Sequence, residues 1–322
     1  MLSVVLIAKD EARSIGRALA SVAGAGEVIV CDTGSRDATM SIADAAGAQV
    51  CEWTWRNDFA AARTYAQTRA KYPWVMRLDA DEVLEVSGGR TAEWFAEAIS
   101  RADRAEADRI FVRRRYHAHN EHWFLRIFRA DRFVWAKPLH EILVPRGDRR
   151  RAIAMRGAVV VHHPSARSRG YSQLARMHLA RRPEDAHLRY YLGRSLWEEG
   201  QREDAVTALH GYLQQPRDYR YHRGEAHRML GCALARVWPD EARRHLIEAA
   251  FCDGIRSEAL VDLVRLSLAL GDRAGARRWI ELGAYAVPPR EPAPWGGTRW
   301  PYLLDREAWR RTTWRDLWRA AA

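Results

Sequence analysis

Leu2 to Ala8 (LSVVLIA) is an unbroken apolar run, the pattern of a strand buried on both faces. After Lys9-Asp10-Glu11-Ala12, Ile15, Leu19 and Val22 take helical spacing, which predicts an amphipathic helix to about Ala23. Glu27 to Cys31 (EVIVC) predicts a second buried strand, followed by the polar turn Asp32-Thr33-Gly34-Ser35-Arg36-Asp37-Ala38-Thr39. Asp37 is the expected N-cap of a helix that ends near Gly47. Ala48 to Trp53 predicts a third strand, Asn57-Asp58-Phe59 opens a helix over Ala60 to Lys71, and Trp74 to Leu78 is a fourth strand. Strand and helix alternate throughout, which predicts a parallel α/β sheet.

Beyond this point residues 91–105 read as a polar helix. Arg109 to Tyr116 (RIFVRRRY) reads as a strand with basic residues and Trp123 to Phe128 (WFLRIF) as another. Phe133 to Val144 contains Lys137-Pro138-Leu139-His140-Glu141. Gly147 to Gly157, with Arg149, Arg150 and Arg151, reads as a solvated loop, and Ala158 to Val161 is a last strand ending in His162-His163-Pro164.

From Tyr171 only helical periodicity remains. His187–Glu199 with Glu203–Gln214, Glu225–Val237 with Glu241–Phe251, and Glu258–Leu270 with Ala274–Ala286 read as three helical hairpins. Ala205, Ala242 and Ala276 recur in equivalent second-helix positions, at a spacing close to the tetratricopeptide period of about 34. Such arrays build concave surfaces for peptides or partners, and a homodimer through the repeats is compatible with this. Pro288 to Ala322 is a Pro-rich connection and a basic helix with Trp309, Trp314, Leu317 and Trp318. Arg310, Arg311 and Arg315 interrupt its apolar stripe, which favours a terminal cap over attachment to an anionic membrane surface. The expected domains are 1–165, 166–287 and 288–322.

The net charge of +11 suits an anionic partner such as a nucleotide sugar, nucleic acid or lipid head group, without selecting among them. Cys31, Cys51, Cys232 and Cys252 form no Cys-x-x-Cys pair, which argues against a disulfide framework or zinc knuckle and for buried free thiols. The chain opens directly on a core strand, without a signal-like segment or a long apolar span, so a soluble cytoplasmic protein is expected.

The candidate chemistry begins where the fourth strand runs into Asp79-Ala80-Asp81. At a strand end, residues i and i+2 point the same way, and adjacent carboxylates repel unless a cation or donor-rich ligand lies between them. Hard oxygen ligands suit Mg²⁺ or Mn²⁺ carrying phosphates; the alternative is an acidic turn. Lys9, Asp10, Asp32 and Asp58 fall at or just beyond the other strand ends, where ligands of parallel sheets gather.

SVVLIAKDEA, VIVCDTGSRDAT, NDFAAAR and VMRLDADE together resemble the family-two glycosyltransferases with a GT-A fold, over roughly the first half of the chain. The resemblance implies that Ala8 and Asp32 lie by the nucleotide base and ribose. It implies that Asp79, flanked by Arg77 and Ala80, touches ribose or metal, and that Asp81 ligates the ion holding the diphosphate. Glu11 and Asp58 would line the nucleotide pocket. Sugar nucleotidyltransferases share the fold but need a Gly-rich loop after the first strand, and Lys9-Asp10-Glu11-Ala12 has no glycine.

An inverting transfer needs a base for the acceptor proton. The resemblance places a His-Glu pair in the acceptor region, which makes Glu141 the candidate base and His140 its neighbour. It also gives a third metal ligand after the last strand, either His162 or His163. Together these imply a metal-dependent enzyme moving a sugar, glucose by default, from a UDP-sugar. The combination with helical repeats looks like bacterial transferases that glycosylate a bacteriocin peptide, and more distantly like lipopolysaccharide-core transferases. A polypeptide acceptor is therefore expected, with a saccharide, glycolipid or modified nucleic-acid base as alternatives. The competing class is a non-catalytic helical-repeat scaffold with a silent nucleotide-sugar domain.

Overall fold

The computed structural model describes residues 1–115, 121–148, 151–163, 171–216, 220–252, 257–284, 317 and 319–321. These fall into two compact units that divide between His163 and Tyr171.

The first unit begins with β1 (Ser3–Ala8), α1 (Ile15–Ser21), β2 (Glu27–Asp32), α2 (Thr39–Ala45), β3 (Gln49–Glu52), α3 (Phe59–Gln67) and β4 (Trp74–Arg77). It continues through β5 (Glu82–Val86), α4 (Thr91–Arg104), β6 (Arg109–Arg115), β7 (Glu121–Arg129), β8 (Phe133–Ala136), β9 (Ile142–Pro145) and β10 (Ala152–His162). Eight strands form one sheet in the order β3-β2-β1-β4-β7-β6-β10-β5, and β8 pairs with β9 separately. β1, β2, β3 and β4 run parallel, as does β6 with β10, while β7 and β5 pair antiparallel with their neighbours. This is the α/β arrangement expected of a GT-A domain, with a mixed second half.

Alternate side chains of the strands serve different faces. Val4 and Leu6 of β1 join Ile15, Leu19, Trp94, Phe95 and Ile127 in one core. Val5 joins Ile29, Val75, Phe111, Phe128 and Trp135 in the other. Burial of each large side chain contributes about 1.5–3 kcal/mol.

Several expectations are corrected. Residues 91–104 are amphipathic rather than polar, because Trp94, Phe95, Ala98, Ile99 and Ala102 recur at helical spacing and are buried. The expected loop up to Gly157 is half strand. β10 starts at Ala152, and its register with β6 shifts between Ala154 and Val159, where Gly157 takes φ +85°. That left-handed glycine hides the strand's alternation. β5 follows the acid pair directly and has no counterpart in the sequence reading. Asp37 precedes the cap residue Ala38, and its Oδ1 accepts from Thr39 N–H. Cys31 is buried and Cys51 and Cys252 partly so, but Cys232 is exposed.

The second unit is α-helical: α5 (Ser172–Leu179), α6 (Ala186–Glu198), α7 (Arg202–Leu213), α8 (Arg220–Leu234), α9 (Pro239–Phe251), α10 (Ser257–Ala269) and α11 (Arg273–Ala284). Helices α6 to α11 form three consecutive hairpins, and α5 precedes them. Ala205, Ala242 and Ala276 are fully buried, so their recurrence reflects close helix packing. Of the C-terminal residues, Leu317 and Ala321 pack with Val264, Ala276 and Ile280, and Ala321 O accepts from Arg277 Nε. Trp309, Trp314 and Trp318 lie outside the described residues. No helix among the described residues is long and apolar enough to cross a membrane.

Candidate active site

The carboxyl ends of β1 and β2 are laced together. Ala8 O accepts from Thr33 N–H and Thr33 Oγ1. Asp32 accepts from Gly34 N–H, Ser35 N–H and Ser35 Oγ. Asp10 takes the left-handed φ of +54° and accepts from Arg36 N–H. Glu11 accepts from Ser14 Oγ at 2.8 Å. The donor-side candidates Ala8, Glu11 and Asp32 therefore sit in one rigid double turn. Asp58 caps α3, accepting from Ala61 N–H at 2.9 Å, which gives it a structural duty at the position expected to line the nucleotide pocket. The next residue, Phe59, donates its N–H to Pro138 O, tying α3 to the turn between β8 and β9 that holds His140 and Glu141. Lys137 and His140 in that turn have positive φ, +72° and +48°, a strained backbone of the kind concentrated at functional sites.

Asp79 and Asp81 do not share a partner. Asp79 Oδ1 receives Arg63 NH2 at 2.5 Å and Oδ2 receives Arg77 NH2 at 3.2 Å. Arg63 Nε reaches Glu141 Oε1 at 2.5 Å, so one buried guanidinium bridges the β4 end and the β8–β9 turn. Burial would raise the Asp79 carboxyl. The guanidiniums of Arg77 and Arg63, with Arg126 and Arg114 behind them, outweigh that and hold it well below the ordinary carboxylate range. The cation expected between the two acids is thus supplied to Asp79 by arginines. Both Asp79 oxygens accept from arginine, so an ion at Asp79 would have to share or displace those contacts.

Asp81 instead faces His162, Oδ2 to Nε2, at 3.2 Å. β5 explains this meeting. It pairs antiparallel with β10 in a register that sets Glu82 opposite His162, and His163 N–H donates to Asp81 O at 2.8 Å. Adjacent residues face opposite sides, so the His162 ring meets Asp81 while His163 contributes backbone and its side chain is exposed. A carboxylate oxygen and an imidazole nitrogen at this separation fit a shared divalent ion.

Sequence reasoning missed Arg63, Glu82, Arg114 and Arg126. Glu82 is fully buried and receives both Arg126 terminal nitrogens, at 2.7 and 2.6 Å, and Arg114 NH2 at 2.8 Å. Its Oε2 also accepts Asp79 N–H at 3.1 Å, so Glu82 fixes the backbone of the acidic turn. Burial acts to raise its carboxyl, but the charges of Arg126 and Arg114 prevail and lower it. Aromatic faces cover the guanidiniums: Trp135 lies under Arg63 and Arg77, and Phe124 under Arg77, Arg114 and Arg126, a favourable cation–π setting. The available signals were Arg63 ending NDFAAAR and the arginines of RIFVRRRY and WFLRIF.

Residues 3–171 match the family model for glycosyl transferase family 2. A TPR repeat-containing protein of Synechococcus elongatus is 34% identical over 236 residues, 67% of this chain and 57% of that protein. An uncharacterized glycosyltransferase of Rickettsia bellii is 40% identical over 84 residues, 26% of this chain and 28% of its own. The chain therefore spans little more than half of the first relative's length and under a third of the second's. Among solved structures, glucosyl-3-phosphoglycerate synthase of Mycobacterium tuberculosis is 22% identical, covering 37% of this chain and 44% of that one at a TM-score of 0.30. S. aureus TarS is 13% identical, covering 87% and 90% at 0.39. The family match spans the strands, the acidic turn and His162, and on it the chain belongs to glycosyl transferase family 2.

Proposed function

We propose that the chain transfers a sugar, glucose by default, from a UDP-sugar to a polypeptide side chain with inversion, using a divalent ion. The observation that carries the metal dependence is the Asp81–His162 pair at 3.2 Å beside carboxylates already neutralised by arginine. Asp81 and His162 would hold Mn²⁺ or Mg²⁺, which, when bound, offsets the charge of the departing diphosphate. Asp32 and Ala8 bind the nucleoside end, and the guanidiniums of Arg63 and Arg77 fix Asp79 against the donor. Glu141 receives the acceptor's proton, and Arg63 orients it. The polypeptide acceptor is supported by the helical hairpins, since repeat arrays present extended surfaces for peptides.

The test is UDP binding by calorimetry with Mn²⁺, with and without EDTA, in the wild type and in Asp81→Ala. EDTA is expected to abolish tight binding in the wild type and to change little in the variant. Equal wild-type affinity with and without chelator would overturn the metal dependence.

A further inference from the structure

Outside the candidate active site, His210 on α7 and Glu241 and His245 on α9 bring one ligand atom each to within 4.8 Å of one another, all three partly buried. Glu241 and His245 stand one helical turn apart on the same face, with Glu241 Oε1 3.9 Å from His245 Nε2. The His210 ring centroid lies 5.5 Å from that of His245. α7 closes one hairpin and α9 closes the next, so the three residues span consecutive hairpins. A fourth residue, His227 on α8, completes the arrangement: its Nδ1 is 2.8 Å from His245 Nδ1.

Two imidazole nitrogens at that distance share one proton, so one ring donates and the other accepts. If His245 donates through Nδ1–H, its Nε2 carries the lone pair on the side of Glu241. Metal-binding histidines are held in this way, the second nitrogen donating to a fixed acceptor. Arg223 and Arg244 add positive charge near the rings, while Glu241 and Glu248 add negative charge. The Arg223 guanidinium is committed to Leu213 O at 3.1 Å.

We propose that His210, Glu241 and His245 form a second divalent-metal site, for a borderline transition ion such as Zn²⁺ or Co²⁺, which pins adjacent hairpins of the helical unit together and is separate from the ion at Asp81. Two imidazoles and one carboxylate favour such ions over Mg²⁺ or Ca²⁺. Closing around Zn²⁺ at about 2.0–2.2 Å per ligand draws the ligand atoms roughly an ångström nearer, within side-chain reach. A three-residue set leaves a fourth position for water or an acceptor side chain.

The experiment uses the untagged full chain, stripped with EDTA, dialysed and titrated with Co²⁺ while visible ligand-field absorption is followed. The expected result is a low-symmetry Co²⁺ spectrum that Zn²⁺ displaces. Asp81→Ala retains it, and His210→Ala and His245→Ala lose it. His227→Ala keeps the three ligands and loses their orientation, so its affinity should fall about 10–100-fold. Far-UV circular dichroism checks that each variant stays helical, and the isosteric Glu241→Gln replaces any alanine variant that does not. Absence of the spectrum in wild type, its persistence without His210 and His245, or its loss in Asp81→Ala would each overturn the site.

Discussion

Removing the Arg63 guanidinium would take from Asp79 and Glu141 their shortest ion pairs and leave both to Arg77, at 3.2 and 3.8 Å. Breaking a buried ion pair from one side costs about 3–5 kcal/mol, so Arg63→Ala should lower the stability of the first unit by that order, read from urea unfolding. Arg63→Lys should recover little of it. A single ammonium lacks the planar fork that serves Asp79 through NH2 and Glu141 through Nε at once. Glu141→Gln keeps the shape and removes the proposed base. Transfer should slow by about 10²–10⁴ with UDP binding unchanged, and wild-type turnover would remove Glu141 from the reaction. The acid pair was legible because two aspartates after an apolar run stand out locally. Arg63, Arg114 and Arg126 were not, because their partners lie far along the chain. Local periodicity shows that an arginine is present, but not that a distant carboxylate will neutralise it.

The strands β1, β2 and β4 were readable because burial on both faces leaves an unbroken apolar signature. β5 was not, since EVLEV places Glu82 at its first position and only the Arg126–Arg114 clamp makes that burial tolerable. In the helical unit Gly193 and Gly231 mark packing. A Cβ on Gly193 would come within 2.6 Å of Leu209 Cγ, and one on Gly231 within 2.5 Å of Leu246 Cγ and 3.1 Å of Ala242 O. Alanine in a helix gains about 1 kcal/mol over glycine, while overpacking costs about 1–3 kcal/mol. The backbone oxygen cannot move aside as a side-chain tip can, so Gly231→Ala should be net destabilising by up to about 2 kcal/mol. A rise in melting temperature would show that α8 and α9 can separate without cost. The recurrence of Ala205, Ala242 and Ala276 was visible in the sequence, but the steric reason for Gly193 and Gly231 was not.

At the scale of the whole chain, each unit owns its cores: one on either face of the sheet, and separate clusters among the helices. Units with separate cores need not unfold together. Calorimetry should resolve two transitions, with UDP and Mn²⁺ raising only the one that belongs to residues 1–163. At about a hundredfold excess over Kd the gain is about 2.7 kcal/mol. A single transition displaced as a whole would show that the units unfold as one. The change from α/β to all-α was legible at Tyr171, because the hydrophobic period itself changes there.

The arginine clamp also inverts how the acidic turn meets a nucleotide. Arg63, Arg77, Arg114 and Arg126 stand against Asp79, Glu82 and Glu141, so a stretch that reads as acidic presents no excess of negative charge from those groups. Under the proposed function Asp81 and His162 would be the protein's share of a coordination sphere, and two ligands would hold Mg²⁺ or Mn²⁺ weakly until phosphate oxygens complete it. Ion and nucleotide would then load as a couple. Whatever factor the ion adds to nucleotide affinity, the nucleotide must return to the ion, so release of UDP would loosen the ion with it.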